Sequence, residues 1–179
     1  MGLIRSRFPA KLFAGVIYAP GISKAGLKNE IEALYGPADL ITDEMDFLNT
    51  KYYCKEMGPG LKRKFFFFKE LRAQEQLYRC KLESNLVEDR YKGPDGGRRL
   101  NIDPGYLELS KLVLFTTKDF SHRLYAGEGI YAEVTMIYSN KKFNTLPWTY
   151  PDYGSDAYIE IFKEARALYY SQLEERGLV

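Results

Sequence analysis

Four consecutive phenylalanines, Phe65 to Phe68, sit between Lys64 and Lys69. Side chains alternate across a β-strand, so neighbouring phenylalanines in this run point to opposite faces of a sheet. Such a strand offers no polar side to water, and the sheet that contains it needs a cover on both faces. Leu12 to Ala19 is also almost continuously apolar, broken only by Gly15, and continues into a turn at Pro20-Gly21. A buried strand explains that run better than a short secretory leader behind Arg5, Arg7 and Lys11.

The segments around these two strands fall into a regular order. Ser23 is placed to cap a helix in which Leu27, Ile31, Leu34 and Tyr35 share one face, and Gly36-Pro37 ends it. Residues 40–47 alternate, with Ile41, Met45 and Phe47 on one side, as in a half-covered strand. Tyr52 to Gly60 reads as a loop. Ala73, Leu77, Cys80, Val87 and Tyr91 mark a helix over 72–90, and Arg99 to Asp103 alternates again. The order is βαββαβ, with the two fully apolar strands first and third. That matches a ferredoxin-like sheet, whose first and third strands are central.

The expectation is therefore an α+β domain with a ferredoxin-like core over 1–104. Residues 105–179 extend it and supply the missing cover. In that second half, Leu107 to Thr117 fits a helix or a strand, and periodicity does not choose between them. Ser121 to Tyr138 reads as a hairpin turning at Gly127-Glu128-Gly129. An aromatic loop at 147–154 precedes a helix from Ser155 to Arg176, striped by Tyr158, Phe162, Ala165, Tyr169 and Leu173.

Composition removes several classes of function. With 45% apolar and 28% charged residues, the chain is globular rather than disordered. A net charge of +2 does not describe a polybasic nucleic-acid coat. One histidine excludes a zinc site built from two or three of them, and it also excludes a two-histidine phosphoesterase. The two cysteines, Cys54 and Cys80, form no C-x-x-C pair and suit a reducing, cytoplasmic setting. No stretch approaches the roughly 18 apolar residues of a membrane span. Met1-Gly2 with Ser6 fits the permissive myristoylation pattern. Asp43, Glu44 and Asp46 read as a solvated edge strand, and no metal site or cofactor is identified. Gly58 to Lys64 lacks the spacing of a phosphate-binding P-loop, and Gly127-Glu-Gly129 lies in a hairpin rather than after a strand. Leu12 to Ile17 and Lys62 to Phe68 resemble the first- and third-strand motifs of RNA-recognition modules. The third-strand glycines are missing and the gap between the motifs is too long, so nucleic acid is set aside as a partner.

The polar residues gather between Asn101 and Glu133. Asn101 and Asp103 share one face of their strand. In the hairpin, a two-residue turn puts His122 opposite Glu133, and a three-residue loop puts Arg123 there. His122 beside Asp103 or Glu133 is the candidate acid–base group. Lys118 and Arg123 suit a phosphate or carboxylate, and Asn101, Tyr106, Lys111, Thr117, Tyr125 and Tyr131 complete the candidate ligand-binding set. Trp148, Tyr150, Asp152 and Tyr153 form an interface or a lid.

Four stretches, taken in order, resemble a prokaryotic family of unknown function and similar length. They are Asn101-Ile-Asp-Pro-Gly-Tyr-Leu107, Lys111-Leu-Val-Leu with Thr117-Lys118 and His122-Arg123, Gly129-Ile-Tyr-Ala-Glu133 and Trp148-Thr-Tyr-Pro-Asp-Tyr153. Members of that family sometimes carry an automatic GTP-binding label. Thr117-Lys118-Asp119 places its acid one position too early for a guanine-reading motif, so the label finds no support in these residues. The leading expectation is a binding protein for a nucleotide or another phosphate-bearing or anionic small molecule. A hydrolase or transferase using His122 is the second, and a partner-binding protein presenting the aromatic loop is the third.

Overall fold

A computed structural model describes residue 3 and residues 7–48, 53, 56–94 and 96–179. Met1, Gly2, Arg5, Ser6, Tyr52 and Cys54, named above, lie outside the described residues. The fold is a mixed α/β arrangement of one large antiparallel sheet and three described helices.

Strand β1 (Ala10–Tyr18) is buried along its whole length. Helix α1 (Lys24–Tyr35) follows, with the Ser23 side chain accepting a hydrogen bond from the Gly26 amide at 3.2 Å. Its Leu27, Ile31 and Tyr35 are buried, and Gly36 ends it at a φ of 90°. The chain then forms β2 (Ala38–Ile41), β3 (Met45–Asp46), β4 (Lys62–Arg72), helix α2 (Arg79–Arg90) and β5 (Leu100–Leu107). The second half contributes β6 (Lys111–Thr116), β7 (Leu124–Gly127), β8 (Ile130–Ser139), β9 (Lys142–Thr145) and helix α3 (Asp156–Glu175). Strand order is β2-β4-β1-β5-β6-β8-β7, with β3 beside β4 and β9 beside β8.

β4 and β1 pair in the interior of the sheet, Phe65 opposite Gly15 and Phe67 opposite Phe13. The alternation of their side chains produces two cores. On one face, Leu12, Val16, Phe66 and Phe68 pack with Leu27, Ile31 and Tyr35 of α1 and with Cys80 and Val87 of α2. On the other, Phe13, Phe65 and Phe67 meet Tyr158, Phe162, Ala165, Tyr169 and Leu173 of α3. Phe162 sits 5.1 Å from Phe65 and 5.8 Å from Phe67, ring to ring, in edge-on geometries favoured by the ring quadrupole. Buried Lys11 adds a polar tie, since its ammonium donates to Asp39, to the Phe68 carbonyl and to Gln172 of α3.

Several local details depart from the sequence reading. The strand expected over 40–47 is divided into β2 and β3 by residues 42–44. The helix expected from residue 72 begins at Arg79, because β4 continues to Arg72 and Gln76 takes a φ of 64°. A left-handed residue interrupts a right-handed helix. Tyr53, Glu56 and Met57 are helical rather than loop. The undecided segment 107–117 contains strand β6. No helix of the described residues is long and apolar enough to cross a membrane.

Phe162 is fully buried between β4 and α3, so Phe162→Ala is expected to destabilise the fold by about 3–5 kcal/mol. Leu86→Ala, on the exposed side of α2, should change stability by no more than about 0.5 kcal/mol. Urea unfolding of both variants measures the contrast.

Candidate functional site

The site begins with a charge on an apolar face. Period-two alternation along β4 puts Arg63 on the same side as Phe65 and Phe67, and Arg63 is only 1% exposed. Gly15 on β1 makes room for it. A Cβ at that position would stand 2.9 Å from the Arg63 Nη2 and 3.0 Å from the Tyr153 hydroxyl. The guanidinium lies over the Phe65 ring at 4.8 Å and the Tyr153 ring at 5.3 Å. Its Nη2 donates to the Tyr153 hydroxyl at 2.9 Å. Nη1 is 3.5 Å from an Asp103 oxygen and Nη2 is 3.9 Å from Asp152. Nε is buried and has no hydrogen-bond partner among the described residues.

Asp103 reaches this point because β5 holds it. The Asn101 amide donates to its Oδ2 at 2.9 Å, as two residues on one strand face can. Asn101 in turn accepts from Arg98 at 3.0 Å, and Arg98 grips Glu56 through two bonds of 2.6 and 2.7 Å. Behind them, Glu88 accepts from Lys81 and from the Ile102 amide. Asp103 is thus the end of a polar chain that starts on α2.

Glu133 arrives from β8. A β-bulge shifts the β6–β8 register, so that Leu112 faces Met136 while Val113 faces Val134. The extra residue, Thr135, lets Glu133 and Met136 both turn toward the α3 face. Glu133 is 2% exposed. The hairpin pairs Leu124 with Ala132 and Tyr125 with Tyr131, which continues to Arg123 opposite Glu133; the turn itself is only Glu128-Gly129 between paired Gly127 and Ile130, and a bulge between Tyr125 and Gly127, rather than a three-residue loop, sets this register. Arg123 Nε donates to Glu133 Oε2 at 2.7 Å, and His122 Nε2 lies 3.2 Å from the same oxygen.

The aromatic loop closes over these groups. Trp148 stacks on His122 with ring centres 5.0 Å apart and an 8° tilt, and its indole N–H donates to the Val134 carbonyl at the bulge. Arg123 also donates to the Tyr150 hydroxyl at 3.0 Å and to the Lys118 carbonyl at 2.9 Å.

Together these elements enclose a cavity of about 260 Å³. Arg63, Asp103, Lys118, Glu133 and Asp152 provide its charges, and Tyr53, Tyr150 and Tyr153 its phenols. Ile17, Phe47, Leu114 and Phe115 supply apolar wall. Burial raises the Asp152 carboxyl above the ordinary aspartate range, against the pull of Arg63. Burial likewise raises the Tyr150 and Tyr153 phenols, which stay protonated at neutral pH and can donate.

The residues singled out from the sequence do not all meet here. Asp103, Glu133, Lys118, Tyr150, Asp152 and Tyr153 line the cavity, while Asn101, His122, Arg123 and Trp148 hold lining groups or pack behind them. Tyr106 projects to the other sheet face, against Phe115 at 5.7 Å. Lys111 pairs with Glu108 near the β5–β6 turn. Thr117 is exposed, and its neighbour Thr116 lines the cavity instead. Tyr125 is exposed, packs on Tyr131 and accepts from the Gly129 amide. Glu44 pairs with Lys24 and Lys62, and Asp46 with Lys62. No group of three potential metal ligands is assembled among the described residues. The sequence reading missed Arg63, although a cation in phase with Phe65 and Phe67 marks a charge carried to a buried face.

A raised folded-state value makes Asp152 take up its proton at a higher pH in the folded chain than in the unfolded one. The folded state then binds the extra proton across that window, and stability falls as pH rises through it. Asp152→Asn removes the ionisation. It is expected to raise the melting temperature at pH 7 and to lose that advantage as pH drops below about 4, the unfolded aspartate value, in melts run across pH.

Comparison with curated proteins finds no match, and comparison with solved structures finds none. A family model, described as a domain of unknown function (DUF4416), matches residues 8–169. The match takes in every strand and all but the last turns of α3, and so the chain belongs to this family of unknown function.

Proposed function

We propose that this protein binds a compact anionic small molecule in the cavity between β4, β5, β8 and the aromatic loop. One observation carries the reading: a guanidinium, Arg63, is held in the cavity wall on an otherwise apolar sheet face, under the Phe65 and Tyr153 rings. Lys118 adds a second cation to the lining. A volume of about 260 Å³ is below the roughly 300–1,000 Å³ of sites for drug-sized ligands. That favours a small carboxylic or phosphate-bearing metabolite over a nucleoside triphosphate, in line with the missing P-loop and guanine-reading motifs.

Binding is preferred to acid–base catalysis for a geometric reason. His122 is not a lining residue, its ring is stacked on Trp148, and Glu133 already receives Arg123. Our architectural reading is a ferredoxin-like unit built from β1, α1, β2, β4, α2 and β5. The order β2-β4-β1-β5, antiparallel at each step, supports it. In this reading residues 105–179 belong to the same domain, because α3 packs on β1 and β4. A cytoplasmic location fits the cysteine usage.

Thermal-shift screening with small organic acids and phosphate esters tests the proposal. At a hundredfold excess over Kd, a ligand of the folded state should raise the melting temperature by roughly 5–10 °C. Arg63→Lys keeps a charge but loses the guanidinium fork, and Lys118→Ala removes the second cation. Both should weaken the shift, and a ligand insensitive to both binds elsewhere.

A further inference from the structure

We propose that the ligand is a monocarboxylic acid with an apolar, ring-sized body, and that the phenol hydroxyls of Tyr150 and Tyr153 receive its carboxylate. The proposal rests on the anion-binding reading above and names the ligand class and two residues that select it. Both tyrosines line the cavity, with their rings 6.2 Å apart, centre to centre. Each oxygen already accepts from an arginine, Tyr153 from Arg63 at 2.9 Å and Tyr150 from Arg123 at 3.0 Å. Neither hydroxyl donates to any of the described residues. Burial keeps both phenols protonated at neutral pH, so each holds a proton that lacks an acceptor. A hydroxyl that accepts from a guanidinium is polarised, and the bond it gives in turn is stronger. Two such donors suit an oxygen anion.

The charged lining groups balance without a ligand. Arg63 and Lys118 stand against Asp103 and Asp152, and Glu133 is paired with Arg123 at 2.7 Å. A carboxylate adds one negative charge, offset by two phenol donors with a guanidinium behind each. A phosphate dianion adds two charges to the same balanced set and fits less well. The rest of the wall is apolar, with Ile17 from β1, Leu114 from β6, and Phe47, Tyr53 and Pro151 from the loops. A bare acid leaves that surface facing water, whereas a ring-sized body covers it. The aromatic neighbours also favour edge-on contact with a ring.

The test is isothermal titration of the intact chain with benzoate, phenylacetate and cyclohexanecarboxylate, each beside its neutral amide, and with acetate and inorganic phosphate. At least one ring acid is expected to bind, with acetate and phosphate about 10–100-fold weaker. Tyr150→Phe and Tyr153→Phe keep the ring and remove the donor, and each should weaken that acid about tenfold. Tyr150 is 41% exposed, so its variant carries the reading should Tyr153→Phe not fold. If acetate or phosphate matches the ring acids, the apolar body is refuted while the anion site stands. If the ring acid binds the parent and the phenylalanine variants equally, the phenols do not receive it and the proposal is overturned, again leaving the anion site. If the amides match their acids, the anion reading itself falls and the proposal with it. Binding by none of these acids overturns both.

Discussion

The architecture depends on the double burial of β4. A strand carrying Phe65 through Phe68 exposes apolar surface on both sides of its sheet, and each side must be removed from water separately. Helices α1 and α2 do this for Phe66 and Phe68, and α3 does it for Phe65 and Phe67. The second requirement ties the two halves of the chain together. Helix α3 comes last in the chain yet packs on β1 and β4 from its first half, and buried Lys11 joins β1 to Gln172 on that helix. The late strands β6, β8 and β9 add further surface to the same core through Leu112, Leu114, Met136 and Phe143.

The cavity is a consequence of the same strand. Arg63 sits two positions before Phe65, so it inherits the α3 face without the apolar character that face demands. The fold accommodates it by withholding a side chain at Gly15 and by bringing Tyr153, Asp103 and Asp152 to its tips. Aromatic rings above and around the guanidinium exclude water while tolerating its charge. The polar floor therefore collects residues from positions 63, 103, 133 and 150–153, none adjacent to another except within the loop. The bulge at Thr135 matters in the same way, since it turns Glu133 inward and offers the Val134 carbonyl to Trp148.

Much of this was legible in advance, and the failures have local causes. The capped helix after Ser23, the hairpin turning at Gly127 to Gly129 and the stripe of α3 follow from short-range rules, and those elements lie where the pattern places them. The helix start at Arg79 was missed because the strand β4 outlasts its apolar run and a positive φ at Gln76 postpones the helix. Among the site residues, Asn101 and Asp103 follow from strand alternation, while Arg123 meets Glu133 through a bulge before Gly127 that the turn residues do not announce. Tyr106 failed because β5 runs on through Pro104-Gly105, so alternation turns it to the face opposite Asp103, and Lys111 failed because it pairs locally with Glu108. Arg63 was overlooked because it lies in the first half, far along the chain from the polar cluster.

By itself, the sequence determined the periodicities: which segments bury two faces, which bury one, and where caps and glycines break them. Those properties depend on neighbours within a turn or a strand, so they survive without knowledge of the fold. Only the tertiary structure decided that Arg63 meets Asp103 and Asp152, and that a bulge aims Glu133 into the same hollow. These meetings are set by strand order and register across the sheet. Such long-range pairings leave no trace in any short window of residues, because their energy appears only when distant faces close on one another.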